Sequence, residues 1–188
     1  MKLSLVLFAT VAVLASAVLA TSLALAAATS PSSGRDAALL RLPPAAPAGQ
    51  SVIYGHIRSV ARKSGRFEMR FDPAWWLHGV AAERAAVEDK AISPGDPVPN
   101  DYYIVEEGHR LLTFVVAATA PVTILTRGGS GETAITVSEL AQILRGKNPQ
   151  HRRLLGPLRG FGSGFGFWIR VGDKYPNPVR SLDQQYQP

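Results

Sequence analysis

The chain contains no cysteine. Disulfides, thiolate metal ligands and cysteine nucleophiles are therefore excluded, as is a lipid anchor attached through a cysteine. Histidine is sparse: His56, His78, His109 and His151 stand far apart with no His-x-x-x-His spacing, so a zinc site would have to be assembled wholly by the fold. Acid is missing where base gathers. Between Leu140 and Gly172 there is no Asp or Glu, while Arg145, Lys147, Arg152, Arg153, Arg159 and Arg170 all fall in that stretch of a chain with formal charge +6. Charge is also missing at the start, where Lys2 is the only charged residue before Arg35.

A basic residue, an uncharged apolar run over residues 3–28 and small residues at its end follow the order of a signal peptide. Ala26-Ala27-Ala28 offers the small-x-small pattern that a signal peptidase needs, so cleavage is expected after Ala28. The run also exceeds the ~20 residues that a helix needs to cross a bilayer, so an uncleaved membrane anchor over residues 1–28 is the alternative to a cleaved signal peptide. Both readings export the protein, to the exterior or to the outer face of the cytoplasmic membrane. Residues 29–50 are rich in Pro, Ala, Ser and Gly, a composition that buries too little apolar surface to offset chain entropy, and read as a linker. Residues 51–188 are left as a single domain, which must draw its stability from a core.

Within it, Arg66–Asp72 alternates strictly, with Phe67, Met69 and Phe71 on one face, and forms an antiparallel hairpin with the β-branched segment 51–60. Asp72-Pro73 predicts a short helical turn carrying Trp75 and Trp76. A helix follows over Val80–Lys90, with Val80, Arg84, Val87 and Ala91 on one side, and then a loop through three prolines. Tyr102–Glu106 and Arg110–Val116 read as a second hairpin, and Pro121–Thr126 as a further strand. Thr136-Val137-Ser138-Glu139 matches a capping box, after which Val137, Leu140, Ala141 and Leu144 recur at helical spacing. Phe167–Val171 and Val179–Tyr186 close the chain as strands. The order ββ-α-βββ-α-ββ indicates an α+β fold, a bent antiparallel sheet or small open barrel, with an OB-like barrel as one form of it.

Several motifs in this order are similar to one family: Asp72-Pro73-Ala74-x-x-Leu77-x-Gly79, Glu88-Asp89, Pro99-Asn100-Asp101-Tyr102-Tyr103-Ile104, Thr136-x-x-Glu139-Leu140, Phe167-Trp168-Ile169 and the closing Gln184-Gln185-Tyr186-Gln187-Pro188. The family comprises small exported proteins of Gram-positive bacteria without an assigned activity. The resemblance spans residues 52–188 and implies a domain and a location, but no catalytic residue. The segment Gln150–Gly166 departs from it by being longer and carrying a Gly/Phe run.

Motifs for chemistry are mostly absent. The glycine-rich segments Arg127–Gly131 and Gly160–Gly166 lack Gly-Lys-Ser/Thr, and Ser130 and Ser163 lack the flanking glycines of a nucleophile elbow. No residue pattern calls for a cofactor or metal. The ligand-facing candidates are Asn100, Asp101 and Tyr103 at the entry to a strand, together with Asp72 and Trp76, where an aromatic face beside a carboxylate suits a sugar. Arg145, Lys147, Arg152, Arg153 and Arg159 are candidates for contact with anionic wall polymer or lipid headgroups; nothing points to nucleic acid. The chain thus reads as a non-catalytic binding or scaffolding module of the cell envelope. The alternative is a hydrolase of wall polymer, using two carboxylates from Glu68, Asp72, Asp101 and Asp183.

Overall fold

A computed structural model describes residues 45–106, 108, 111–127, 131–156, 158, 165–174 and 178–187. Residues 1–28, most of the linker, Arg159, His109 and the greater part of the Gly/Phe run lie outside the described residues.

The N-terminal hairpin consists of β1 (Gln50–Lys63) and β2 (Arg66–His78), and the core face is set by alternation. Ile57 and Val60 of β1 and Phe67, Met69 and Phe71 of β2 all point inward and are buried. After α1 (Gly79–Glu88) and a single 3-10 turn come β3 (Tyr102–Glu106), β4 (Leu112–Val116), β5 (Val122–Leu125) and β6 (Glu132–Ile135). Then follow α2 (Val137–Ile143), β7 (Phe165–Gly172) and β8 (Val179–Tyr186). The fold is α+β, an eight-stranded sheet in the order β3-β2-β1-β7-β8-β5-β6, with β4 pairing both β2 and β8.

That double pairing of β4 bends the sheet into a partial ring, in which β1, β2, β4, β8 and β7 follow one another and return to β1. The sheet is not wholly antiparallel, because β8 meets β4 at Val116–Val179 and β5 at Val122–Leu182 in parallel. The ring encloses the main core of Phe71, Met69, Ile124, Phe167, Ile169, Val179 and Leu182, and α2 adds Val137, Leu140 and Ala141 to it, with Leu144 just past the end of the helix.

Pro73–His78 is strand, not the helical turn that Asp72-Pro73 predicts. Proline cannot donate to a ladder. It stands where the edge of β2 passes from β4, which pairs as far as Phe71, to β3, which pairs from Ala74, so neither ladder requires its missing N–H. The expected second hairpin is also corrected: β3 and β4 do not pair with each other, because β2 is long enough to take both on one edge. A strand not expected from sequence, β6, pairs with β5. The buried side of α1 is Ala82 and Ala86, packed on Leu77, Val98, Ile92 and Tyr103, while Val80 is 72% exposed. Small residues let the helix approach the sheet where the valine stripe would hold it away.

The capping box forms by half. Thr136 Oγ1 accepts the Glu139 amide at 3.1 Å, but the Glu139 carboxylate turns to Arg152, its Oε1 and Oε2 accepting from Nε at 2.5 Å and Nη2 at 3.2 Å.

Candidate functional site

The sheet has a second face, and the same alternation that fills the core fills it. Tyr54 and His56 of β1, Ala74 and Trp76 of β2 and Trp168 of β7 point away from the ring. In register Tyr54 lies between Ala74 and Trp168, and Trp76 pairs with Ile104 of β3. Their rings form one assembly, with centroids 4.8 Å apart for Tyr54–Trp76, 4.9 Å for Tyr54–Trp168 and 5.5 Å for Trp76–Trp168. Tyr102 stacks on Trp76 at 4.2 Å. Two glycines make room. A Cβ at Gly166 would overlap the Tyr54 ring, and one at Gly55 would overlap the backbone of Asp72 and Pro73.

Polar groups border the aromatic ridge. Gln187, in the last described segment, donates to the Tyr54 hydroxyl. Burial, above all, pushes the Tyr54 pKa well above the ordinary phenol range; the hydrogen bond from Gln187 opposes this and the nearby Glu106 charge adds to it. His56 is buried, with Nε2 2.6 Å from Glu106 Oε1 and Asp72 directly across the β1–β2 ladder. The Nε1 atoms of Trp76 and Trp168 are withdrawn from solvent and have no hydrogen-bond partner among the described residues.

Two concavities flank this ridge. A groove of about 300 Å³ is lined by Ile92, Val98, Asn100, Tyr102, Tyr103 and Gln187, among others. A cleft of about 490 Å³ lies at the handover on β2, bounded by Val52, Tyr54, Trp75, Trp76, Leu112 and Trp168, among others.

The candidate residues are thus divided. Asn100 and Tyr103 share the groove, and the Tyr103 hydroxyl donates to Asp89 at 3.1 Å. Asn100 and Asp101 both take left-handed backbone angles, φ 61° and 58°, which the Asn-Asp pair tolerates better than most residues. Asp101 does not line the groove; its carbonyl oxygen lies 3.1 Å from His78 Nδ1. Trp76 lines the cleft, whereas Asp72 is 1% exposed and stands opposite His56 in the β1–β2 ladder. Tyr54, His56, Glu106 and Trp168 were not singled out by sequence reasoning. The signal for them is the same alternation, Val52-Tyr54-His56 against Ile53 and Ile57, read for the face opposite the core.

Of the basic candidates, Arg145, Lys147 and Arg153 are exposed. Arg152 is engaged by Glu139, which lies one residue before the acid-free stretch and holds the guanidinium pKa above its ordinary value. The fold adds Arg127, whose amide donates to the Arg153 carbonyl at 2.7 Å. Asn148 ties the segment together, its side chain donating to the Arg152 carbonyl and accepting the Arg152 amide. None of Arg127, Arg145, Lys147 and Arg153 has an ion-pair partner among the described residues. Of the carboxylates considered for hydrolysis, Glu68 pairs with Lys63 at 3.4 Å and Asp183 accepts from the Ser181 hydroxyl at 3.2 Å.

No protein-family model, curated protein or solved structure matches the chain.

Proposed function

We propose that residues 51–188 are a non-catalytic binding module of the cell envelope. The N-terminal segment exports the module and, where uncleaved, holds it at the membrane, and its basic corner contacts anionic wall polymer or lipid headgroups. The observation that carries this reading is that Arg127 and Arg153 are joined backbone to backbone and that none of Arg127, Arg145, Lys147 and Arg153 has an ion-pair partner among the described residues, so that their potentials would add. The resemblance to exported proteins of Gram-positive bacteria agrees with it. The five-strand ring with a helix packed on its core supports an OB-like barrel, a scaffold that commonly binds extended polymers.

The hydrolase alternative has less behind it. Glu68 and Asp72 are four residues apart on one strand, about 13 Å at the usual rise, beyond the roughly 5–10 Å that paired catalytic carboxylates require.

The test is retention of the protein on vesicles containing anionic lipid and, separately, on purified anionic wall polymer. Changing Arg145, Lys147 and Arg153 together to Gln is expected to weaken binding to anionic vesicles by roughly a hundredfold, at about 1 kcal/mol per charge near such a surface. The wild-type interaction should weaken steeply with salt. Arg62→Gln with Lys63→Gln is the matched control, since Lys63 already has Glu68 beside it. Equal behaviour of the two variants, or retention insensitive to salt, would remove the proposal. Arg152 is left unchanged because its loss would strand Glu139.

A further inference from the structure

Glu139 stands three residues after Thr136, the position from which a capping-box carboxylate reaches back to the amide before the helix. It takes Arg152 instead, accepting from Nε at 2.5 Å on one oxygen and from Nη2 at 3.2 Å on the other. The Thr136 hydroxyl and carbonyl are engaged by the Glu139 and Leu140 amides, while its own amide has no hydrogen-bond partner among the described residues. Glu139 therefore has two sites within its local repertoire and occupies one. We infer, resting on the reading of the basic corner above, that Arg152 is a further binding residue of that corner, held in reserve. An anionic group with two equivalent oxygens, as in a phosphodiester, takes the place of Glu139 on Nε and Nη2, and Glu139 passes to the Thr136 amide.

The exchange keeps every strong hydrogen bond. The edge of a guanidinium presents two N–H groups whose spacing matches carboxylate and phosphate oxygens alike, so Arg152 is satisfied in either state. Glu139 is the partner at risk: its side chain is 12% exposed, and a carboxylate left there without a partner would be strongly unfavourable. The free Thr136 amide removes that penalty, at a helix start where the backbone dipoles favour negative charge. Arg152, with its side chain 25% exposed, can be reached from solvent. Its backbone stays fixed meanwhile, since Asn148 holds both its amide and its carbonyl, and Arg153 beside it is joined to Arg127. The guanidinium thus changes partner without moving the loop that carries its neighbours. A phosphodiester can come from a wall polymer or from a phospholipid headgroup, and both sources present the same two oxygens.

The test uses the full chain with two probes, soluble polyphosphate and phosphatidylglycerol vesicles, which separate a free polymer from a lipid surface. Glu139→Gln removes the carboxylate charge and leaves a side chain that a capping box accepts as well. Because it releases Arg152, it should tighten binding by about fivefold, the effect of one more cation near an anionic surface, and make the salt dependence steeper. Glu83→Gln on α1 changes the net charge equally from an exposed position, and should leave binding within about twofold of the wild type. Adding Arg152→Gln to Glu139→Gln should take the gain away. In the wild type, saturation with polyphosphate should slow exchange of the Thr136 amide hydrogen; this measurement carries the test if Glu139→Gln does not fold. If the Arg145, Lys147, Arg153 triple variant weakens binding but Glu139→Gln fails to tighten it, or the Thr136 amide is unaffected, Arg152 is a fixed strut and only this inference falls. Absence of binding by the wild type to either probe overturns both it and the basic-corner reading.

Discussion

Tyr54 joins the two halves of the second face: its ring covers Gly166 and contacts the indoles of Trp76 and Trp168, and its hydroxyl receives Gln187. Its raised pKa has a definite consequence for stability. The folded protein holds the phenol proton more tightly than the unfolded chain does. The stabilising contribution is therefore fully present below the unfolded value of about 10 and is lost as pH rises from there towards the folded pKa. Tyr102 and Tyr103 shift in the same direction, chiefly through burial, and add to the effect. Unfolding free energies measured from pH 8 to 12 should fall for the wild type above about pH 10 and fall less steeply for Tyr54→Phe. Parallel curves would show that Tyr54 ionises freely in the folded state. At this scale the sequence was only half legible. Alternation marks Tyr54 as facing away from Ile53 and Ile57, yet nothing local says that Gln187, 133 residues later, arrives beside it.

Helix α2 shows what a sequence does disclose about an element. Thr136 stops the chain before the first turn, four apolar residues follow at helical spacing, and Gly146 takes φ 82°, which only glycine adopts freely. Each signal is local, so each could be read. Leu140 is fully buried and Gln142 is not, and the two are expected to differ accordingly. Leu140→Ala should lower unfolding free energy by about 2–5 kcal/mol, and Gln142→Ala by less than about 0.5 kcal/mol; similar small losses in denaturant titrations would make the helix peripheral. The errors arose where pairing decides the element. Pro73-Ala74-Trp75-Trp76 has a helix-start residue and no alternation of polarity, but it is held extended by Tyr54 and Gly55 on one side and by Glu106, Val105 and Ile104 on the other. The sequence likewise shows α1 as a valine stripe, because valine outranks alanine in apolarity. Docking distance, which no local pattern records, selects Ala82 and Ala86 instead.

Across the whole molecule the decisive feature is closure. The start of the domain meets the end of β7 where Gln50 pairs with Gly172 and where the Asp173 amide donates to the Gly49 carbonyl, and long antiparallel ladders run from β2 through β1 and β7 to β8. The ring is completed by much less, a single parallel bridge between Val116 and Val179, both of them buried. Pairing of such distant segments cannot be read from composition or periodicity, and it is the step that separates a bent sheet from a ring. The absence of cysteine makes it directly testable, since an introduced pair has no competing thiol. Residues bridged across neighbouring strands have the Cα separation that a disulfide spans. Val116→Cys with Val179→Cys should therefore oxidise to an intramolecular disulfide, detected as a loss of two thiols and faster migration without reductant. By closing a long loop in the unfolded chain the bond should raise stability by about 2–4 kcal/mol over the reduced form of the same variant. A control pair at Val116 and Arg145, which share no bridge, should stay reduced. If the Val116–Val179 pair also stays reduced under mild oxidant while the variant remains folded, the β4–β8 seam is open in solution and the sheet ends as a bent, unclosed strip.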